Sequence, residues 1–367
     1  MGKMKVGGNS IFLSQKCYNV INIYERFFLM NNYLISITDK NKNDAGPKAK
    51  RDIEHFLAGK FHSVTLKYDL KKGWKSRLQK LYLAHVKVPA FFKNHPDIDN
   101  LVLQYPLYST YLLDVILTNL KKYTQAKLYL VIHDLESLRL FKDKPNYVQS
   151  EINFLNQADG LIVHNHKMIS WLQANGCTSK LVDLEIFDYD NPQPLLTTDY
   201  YDASVCFAGN LAKADFLTKL NLTKHQLVLF GPNPSNSYPK NIAYQGQKTP
   251  EELPKFLQQS FGLVWDGDSL NSCTGTFGEY MKYNNPHKVS LYLSSGLPVI
   301  IWKEAALADF VEKHHVGLTI ADLNDLDDLL DRLTPADYAL ICQNVAAVAN
   351  KMRQGYYIKQ ALNQLKL

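Results

Sequence analysis

Two series of short apolar runs, separated by polar or helical segments, dominate this sequence. The first series comprises 33–38, 63–67, 101–104, 127–132, 160–164 and 181–186, and the second comprises 204–208, 227–231, 242–245, 261–265, 298–302 and 316–320. Amphipathic segments such as 48–57 and 147–156 lie between the runs. Short buried strands that alternate with helices are typical of parallel sheets covered by helices on both faces. The sequence therefore predicts an α/β fold with two Rossmann-like doubly wound domains.

The segment Asp188-Tyr189-Asp190-Asn191-Pro192-Gln193-Pro194 breaks the alternation and predicts a linker. We expect an N-terminal extension over 1–29, a first domain over 30–188, a linker over 189–203, a second domain over 204–345 and a C-terminal helix over 346–367. The extension does not fit the alternation, so it is predicted to be loosely attached or to precede a natural start at Met30. The last segment, 336–365, is predicted to be helical throughout, and to cap the second domain or return to the first. Two such domains place a central ligand cleft between the carboxyl ends of their strands.

The composition excludes several classes of protein. Of the 367 residues, 46% are hydrophobic and 21% are charged, as in globular enzymes. The net charge of +6 is too small to indicate a nucleic-acid partner. Five scattered cysteines without metal-ligand spacing argue against a disulfide scaffold and favour a reducing cytoplasm. We expect neither a transmembrane helix nor a signal peptide, because polar residues interrupt every apolar stretch.

The stretch Asn285-Pro286-His287-Lys288 is the strongest single indication of a ligand site. Asn285 is predicted to cap a helix whose first position is Pro286, where the missing N–H is harmless. Lys288 then lies in the first helical turn, where a cation is electrostatically disfavoured. Helix amides beside a lysine favour an anion such as a diphosphate, so these residues are candidates for donor binding. The alternative is an ordinary capped surface helix with a solvated lysine.

Polar and glycine residues follow several runs of the second series, at the edge where a doubly wound fold binds its ligand. They are Gly209, Asn210, Gly231, Asp266 and Asp268. Glycine allows a backbone to turn sharply and to approach a ligand closely. Each turn alone is explained by a simple connection, but together with Lys288 they predict a nucleotide-sugar site.

The pair Asp266 and Asp268 also has the spacing of a divalent-metal site that holds a diphosphate. We expect these carboxylates to bind sugar or ribose hydroxyls instead, because Lys288 and a helix N-terminus can neutralise the diphosphate. The sequence therefore predicts no metal and no cofactor.

In the first series, His133 and Asp134 follow the run 127–132 at its carboxyl end. Either side chain, if it faces the cleft, can take a proton from an acceptor hydroxyl. The alternative is that Asp134 caps a local turn. Further candidates for the same cleft are Asp39, Gln104-Tyr105 and His164-Asn165.

The loop 43–51 combines Gly46 with Lys48, Lys50 and Arg51, which are candidates to meet donor phosphates or an anionic acceptor. It has fewer glycines than a dinucleotide-binding fingerprint, which argues against a nicotinamide enzyme. No G-x-x-x-x-G-K-[ST] loop is present, which argues against an NTPase.

The segment 71–93 interleaves basic residues with apolar ones. The basic residues are Lys71, Lys72, Lys75, Arg77, Lys80, Lys87 and Lys93, and the apolar ones include Trp74, Leu78, Leu81, Tyr82, Val86, Phe91 and Phe92. A basic amphipathic helix with aromatics suits an anionic membrane surface. The alternative is an amphipathic helix that packs its apolar residues on the first domain.

Several stretches, in constant order from about Met30 to near the C-terminus, match one known family. They are 44–46 with 48–49, 132–134, 186–189, 208–211, 261–269, 284–288 with 290–294, and 305–310. They resemble bacterial β-1,6-galactofuranosyltransferases, which build O-antigen and capsule-type polysaccharides. The stretches around Asp134, Asn210 and Lys288 are more loosely similar to glucosyltransferases that extend O-glycans on serine-rich repeat adhesins.

The resemblance implies a GT-B fold in which the second domain holds a nucleotide sugar and the first holds the acceptor. It implies that Lys288 contacts the donor diphosphate. It also implies that Lys213 assists in this contact, because the adhesin-modifying relatives have a basic residue at that position. A lysine there lacks the bidentate fork of arginine. We therefore expect a cytoplasmic, metal-independent enzyme, at the inner membrane face or free of it, that transfers a hexose from a UDP-sugar to a lipid-linked or protein-borne glycan. Galactofuranose is the first candidate sugar. Homo-oligomer formation, a catalytically silent UDP-sugar-binding subunit and a UDP-sugar epimerase are left open.

Overall fold

The computed structural model describes residues 3–6, 9–12, 31–38, 45–70, 73–196 and 200–367. Near the N-terminus, Lys3–Val6 (β1) and Asn9–Phe12 (β2) pair antiparallel. The rest of the predicted extension, together with Asp39 and Asp44, lies outside the described residues. The prediction that the extension is loosely attached therefore stays a prediction.

The first domain is built on a six-stranded parallel sheet with the order β4-β3-β5-β6-β7-β8. Its strands are Asn32–Thr38 (β3), His62–Lys67 (β4), Asn100–Tyr105 (β5), Lys127–Ile132 (β6), Gly160–Val163 (β7) and Lys180–Asp183 (β8). Its helices are Ala45–Leu57 (α1), Trp74–Tyr82 (α2), Val88–Asn94 (α3), Thr110–Tyr123 (α4), Pro145–Leu155 (α5) and His166–Ala174 (α6), with a π-helical turn at Leu83–Lys87 between α2 and α3. The strand order reverses between β3 and β5, and such a reversal opens a ligand crevice at the carboxyl ends of the strands.

The second domain repeats this plan with the order β11-β10-β9-β12-β13-β14, again fully parallel. Its strands are Val205–Ala208 (β9), Leu227–Phe230 (β10), Ile242–Tyr244 (β11), Phe261–Val264 (β12), Val299–Trp302 (β13) and Gly317–Ile320 (β14). Its helices are Gly275–Tyr280 (α7), His287–Ser295 (α8), Ala308–His314 (α9), Leu326–Arg332 (α10) and Pro335–Met352 (α11), followed by Tyr356–Gln364 (α12). This is the Rossmann order, whose reversal lies between β9 and β12. All twelve predicted strands are present, so the two-domain doubly wound prediction is confirmed.

The C-terminal segment differs from the predicted continuous helix. It is interrupted at Gly355, whose φ of 68° is a left-handed conformation that favours glycine. The following helix α12 returns to the first domain: the amides of Tyr357 and Ile358 donate to the carboxylate of Asp188, at 3.1 and 2.7 Å. Helix α12 therefore fastens the linker and the first domain to the second.

The hydrophobic core also joins the two domains. One buried cluster includes Val131 and Val182 of the first sheet, Leu229 of the second sheet and Ile358 of α12. A second cluster fills the first domain and includes one residue of the second domain, Tyr280 at the end of α7. No helix among the described residues is long and apolar enough to cross a membrane.

Candidate active site

The predicted site residues lie at the carboxyl ends of the two sheets. Gly209 follows β9 and Asp266 lies just beyond β12, and these two strands flank the reversal of the second sheet. His133 and Asp134 follow β6 of the first sheet. In the second domain the predicted residues therefore coincide with the ligand crevice of a doubly wound sheet. In the first domain His133 and Asp134 follow β6, one strand beyond the reversal between β3 and β5.

The two glycine turns of the second domain pack backbone against backbone. Gly231 has a φ of 144°, and a Cβ atom at this position would lie 1.8 Å from the carbonyl oxygen of Gly209. The side-chain oxygen of Asn210 accepts from Asn233 Nδ2 at 2.9 Å and from the amide of Ala212 at 3.2 Å. Gly231 is required for this close approach, and Asn210 holds the turn in shape.

The start of α8 differs from the prediction. The helix begins at His287, and Pro286, in an extended conformation, occupies the cap position, so the prediction that Asn285 caps the helix is wrong. Proline has no side chain that can accept from the helix amides, and no side-chain cap is formed. Lys288 still lies in the first turn, as predicted.

Asn285 is instead a buried connector between the domains. Its amide nitrogen Nδ2 donates to the carbonyl oxygens of His164 at 2.5 Å and Glu185 at 3.2 Å. Its Oδ1 accepts from Asn165 Nδ2 at 2.8 Å, and its backbone N–H donates to His164 Nδ1 at 2.8 Å. These contacts engage the whole side chain in joining α8 to the end of β7, which favours a structural role over donor binding.

This role predicts the effect of Asn285→Ala. The substitution removes two buried hydrogen bonds and one part-buried one. The carbonyl oxygens of His164 and Glu185 lose the Asn285 donor, while the side-chain amide of Asn165 keeps its bond to Tyr283. We expect the free energy of unfolding to fall by roughly 2–3 kcal/mol, with the KM for the donor little changed. Thermal unfolding and donor titration measure the two effects. Asn271→Ala, which removes an exposed bond to Asp322, is the matched control; a large rise in KM with unchanged stability would instead support donor binding.

Lys288 lies at the centre of a group of polar and aromatic residues at the carboxyl end of the second sheet. Its Nζ donates to Asp266 Oδ1 at 2.8 Å and to the carbonyl oxygen of Trp265 at 3.2 Å, and it lies 4.5 Å above the ring of Phe207. Its side chain retains 14% exposure. A partly buried ammonium held by one carboxylate at the crevice is available to an incoming anion of higher charge.

Lys213 lies beside this pair. The peptide of Lys213 is fixed, because its carbonyl oxygen accepts from the amide of Gly267 at 3.2 Å, and its Nζ lies 3.7 Å above the ring of Phe277. Desolvation lowers the pKa of Lys213, and the charges that act on it include Asp266 and Lys288 of its own domain and Arg139 and Asp134 of the first domain. Charged groups of both domains therefore lie close enough to act on Lys213 electrostatically.

The first-domain wall is organised around Asp134. Arg139 forms an ion pair with Asp134, whose Oδ2 lies 3.0 Å from Nη1, and donates from Nη2 to Glu136 Oε1 at 2.5 Å. The hydroxyl of Tyr280, from the second domain, accepts from the amide of Leu135 at 3.0 Å and donates to the carboxylate of Asp134. Asp134 is thus more than a local turn cap.

Sequence reasoning missed both partners of Asp134, although each had a signal. Arg139 is a lone arginine a short distance beyond the His-Asp pair, and Tyr280 lies within a stretch rich in glycine and aromatic residues ahead of Asn285. Neither residue lies at the carboxyl end of a strand, where a doubly wound fold is expected to bind its ligand.

Burial sets the charge state of the groups around Asp134. It raises the pKa of Asp134 to about 6, with Arg139 opposing the shift. Burial also lowers the pKa of Lys50 to about 8, while Asp134 opposes, and Lys50 Nζ donates to the carbonyl oxygen of Pro106 at 2.8 Å. A carboxylate with a pKa near neutrality is suited to exchange a proton with a substrate.

His133 is held as a neutral ring. Gln104 Nε2 donates to the carbonyl oxygen of Lys50 at 3.1 Å, which turns Gln104 Oε1 toward His133 Nε2 at 2.8 Å. Nε2 of His133 therefore carries the proton, and Nδ1 keeps its lone pair. Burial lowers the pKa of His133 well below its usual value, with Lys50 adding to the shift. The ring stacks on Phe187, which fixes its plane.

Other predicted residues are engaged elsewhere. Lys48 is buried, pairs with Asp52 and donates to the carbonyl oxygen of Asp190 at 2.7 Å, so it holds the linker instead of facing phosphates. His287 packs 5.1 Å from the ring of Tyr189, and burial lowers its pKa to about 3. His287 therefore packs against the linker.

The carboxylate of Asp268 accepts from the hydroxyl of Thr274, and this hydrogen bond lowers its pKa. Among the described residues, no group of three or more histidine, cysteine, aspartate or glutamate side chains is placed to hold a metal ion. Metal-independent transfer stays a prediction.

Comparisons with known proteins agree with this geometry. Residues 31–186 match the N-terminal domain of glucosyltransferase 3-like proteins and residues 205–365 match their C-terminal domain. The chain belongs to this glycosyltransferase family. It is 30% identical over 338 residues to a β-1,6-galactofuranosyltransferase of Escherichia coli K12, covering 91% of this chain and 98% of that one. It is 27% identical to a glucosyltransferase 3 of Streptococcus gordonii, covering 72% and 78%.

Solved structures of enzymes with low sequence identity to this chain share its two-domain fold. A sucrose-phosphate synthase of Thermosynechococcus elongatus superposes with a TM-score of 0.58 at 15% identity, covering 92% of this chain and 99% of that one. A trehalose-6-phosphate protein of E. coli bound with UDP-2-fluoro glucose superposes with a TM-score of 0.55 at 10% identity, with the same coverages. The GT-B prediction is confirmed: both family and architecture are those of a two-domain glycosyltransferase.

Proposed function

We propose that this protein transfers a hexose, with galactofuranose the first candidate, from a UDP-sugar to a hydroxyl of a growing cell-surface polysaccharide. The observation that carries the proposal is the pair of charged groups at the carboxyl ends of the two sheets: Lys288 pairs with Asp266 and Arg139 pairs with Asp134. Charges from both pairs act on Lys213. The galactofuranosyltransferase relative, matched over nearly its whole length, supports the choice of sugar.

On the donor side, the diphosphate of the UDP-sugar replaces Asp266 as the partner of Lys288. The glycine turn at Gly209 and Gly231 lets the donor approach the backbone, and Lys213 adds a second positive charge. As the bond from the anomeric carbon to the β-phosphate oxygen breaks, UDP leaves with the electron pair. Fixed positive charge at that position stabilises the charge that develops on the leaving group.

On the acceptor side, the hydroxyl oxygen forms the new bond to the anomeric carbon and its proton moves to Asp134. A carboxyl group whose pKa is about 6 is mostly ionised at neutral pH and can accept that proton. Arg139 and Tyr280 hold the carboxylate in place. His133, whose Nδ1 keeps a lone pair, is the alternative base.

A second candidate function is a glucosyl- or N-acetylglucosaminyltransferase that extends O-glycans on a serine-rich adhesin, which the glucosyltransferase 3 match favours. A catalytically silent UDP-sugar-binding subunit and an epimerase are the remaining alternatives. We further propose that the transfer requires no metal or cofactor. The protein would act in the cytoplasm at the inner membrane face, and its acceptor would be a lipid-linked or protein-borne glycan. Self-association is left to measurement.

The test is a panel of UDP-sugars, including the furanose, incubated with the purified protein and with lipid-linked or peptide acceptors. Mass spectrometry should show one hexose added to one acceptor class, and EDTA should leave the yield unchanged. Conversion of the UDP-sugar without acceptor would indicate an epimerase. Donor binding without any turnover would contradict the proposed transfer and indicate a silent subunit.

A further inference from the structure

The first domain carries an exposed apolar surface on the rod formed by α2, the π-helical turn and α3. The side of this rod that faces the domain is buried, through Leu83, Ala84, Val88 and Phe92. The opposite side exposes a row of large apolar side chains, which we call the exposed stripe: Trp74 (70% exposed), Leu78 (55%), Leu81 (39%), Tyr82 (52%) and Val86 (49%).

The spacing shows that the stripe is a continuous surface. Trp74, Leu78, Leu81 and Tyr82 are four, three and one residues apart, which places them on one side of a helix. Single exposed apolar residues are common, but a contiguous group is typical of a surface that contacts a partner or a membrane. The sequence alternative, an ordinary amphipathic helix packed on the first domain, accounts for the buried side of the rod but not for the exposed stripe.

The charges within the helical segment that carries the stripe have one sign. Between Leu70 and Pro96 the sequence contains six lysines and one arginine and no aspartate or glutamate. Lys75, Arg77 and Lys87 are exposed on the described part of this segment. Arg77 and Lys80 also line a shallow pocket of about 290 Å³ beside Leu81 and Tyr111. Cations thus border the apolar row and surround a recess large enough for a small anionic group.

This charge pattern distinguishes between occupants. A second copy of the chain seated on the stripe would bring two like-charged segments together, which is unfavourable. An anionic lipid surface offers the complementary charge, with apolar chains beneath it for tryptophan, leucine and valine.

The stripe is connected to the acceptor side of the cleft. Near its middle, His85 Nε2 is hydrogen-bonded to the hydroxyl of Tyr111 at 2.9 Å. Tyr111 lies three residues after Tyr108, whose hydroxyl interacts with Arg139, the partner of Asp134. A membrane against the stripe would therefore lie beside the wall that holds the proposed base.

We propose that the exposed stripe docks on a membrane rich in anionic phospholipid, with Trp74, Leu78 and Tyr82 inserted among the lipids and Lys75, Arg77 and Lys80 bound to headgroups. This orientation presents the first-domain side of the cleft to acceptors carried at the membrane surface. The inference goes beyond the proposed transfer reaction and does not depend on the sugar.

Vesicle flotation of the full chain tests the inference. We compare vesicles of phosphatidylcholine alone with vesicles that contain phosphatidylglycerol, at low and high salt. The wild-type protein should float at least about ten-fold better with the anionic vesicles, and salt should weaken binding. Trp74→Ser with Leu78→Ser, and separately Lys75→Glu with Arg77→Glu, should each reduce flotation by about ten-fold or more.

Matched controls are Leu140→Ser with Leu340→Ser, which remove exposed leucines elsewhere, and Lys121→Glu with Lys122→Glu on α4. These should float like the wild type. Equal flotation of wild type and stripe variants, or none with anionic vesicles, would overturn the inference. So would a wild-type dimer that the stripe variants abolish. Transfer to a water-soluble acceptor should survive the stripe substitutions, so a failure of docking and a failure of the proposed reaction give different results.

Discussion

Lys288→Ala should lower kcat for hexose transfer by roughly 10²–10³-fold, the loss found when a preorganised charge at a developing anion is removed. Lys288 Nζ is held at 2.8 Å from Asp266 and 3.2 Å from the carbonyl oxygen of Trp265, so its position is fixed before the donor arrives. Its effect is largest when UDP departs, since negative charge grows on the diphosphate at that moment. The measurement is steady-state transfer from the UDP-sugar identified by the panel.

The stability of this variant should fall less than its activity, because the ion pair is only partly buried, with 14% and 20% side-chain exposure. The expected loss lies between the about 0–1 kcal/mol of exposed pairs and the roughly 3–5 kcal/mol of a broken buried pair. Lys282→Ala is the matched control: Lys282 is an exposed lysine a few residues earlier that pairs with Glu304 at 2.9 Å. Its kcat should equal that of the wild type. An unchanged kcat in Lys288→Ala, with an intact fold, would remove Lys288 from the mechanism.

Asp134→Asn should reduce kcat by roughly 10²–10⁴-fold, the usual contribution of a positioned base. Burial raises the pKa of Asp134 from its ordinary value to about 6. Below that pH the carboxyl group is protonated and cannot accept the hydroxyl proton, so wild-type activity should rise with pH through about 6. The residual activity of Asp134→Asn should lack this rise, because the amide does not titrate.

His133→Gln provides the comparison for Asp134. The pKa of His133 lies well below its usual value, so a rise of activity with pH that is due to this ring would occur at lower pH. If Asp134 is the base, the activity of His133→Gln should still rise with pH near 6. Loss of this rise in His133→Gln and its retention in Asp134→Asn would instead assign the base to His133. Thermal unfolding of both variants checks that each remains folded.

The sequence was sufficient for the strands because their burial makes them short continuous apolar runs, as at Leu227–Phe230 and Phe261–Val264. It was also sufficient for the crevice, because residues that follow parallel strands share one edge; Gly209 and Asp266 follow from that rule alone. Lys288 was placed correctly in the first turn of α8.

Side chains that work across the domain interface were not predictable. Tyr280 reaches Asp134 from the other domain. Asn285 does not cap the helix, because its side-chain amide donates to the carbonyl oxygens of His164 and Glu185. Local cap preferences are worth about 1 kcal/mol, and several buried tertiary hydrogen bonds outweigh them. Likewise, helical periodicity gives the spacing of Trp74 and Leu78 but not which side of the rod meets the domain.

The burial of Tyr280 in the core of the first domain has a consequence for engineering this enzyme. A chimera that takes the second domain from a relative would also replace Tyr280, which packs in the core of the first domain and accepts from the amide of Leu135. Such a chimera therefore needs a first domain whose residues around Leu135 and Asp134 fit the new side chain, and a smaller residue at position 280 would leave a void there. The two domains of this scaffold are therefore not independently exchangeable.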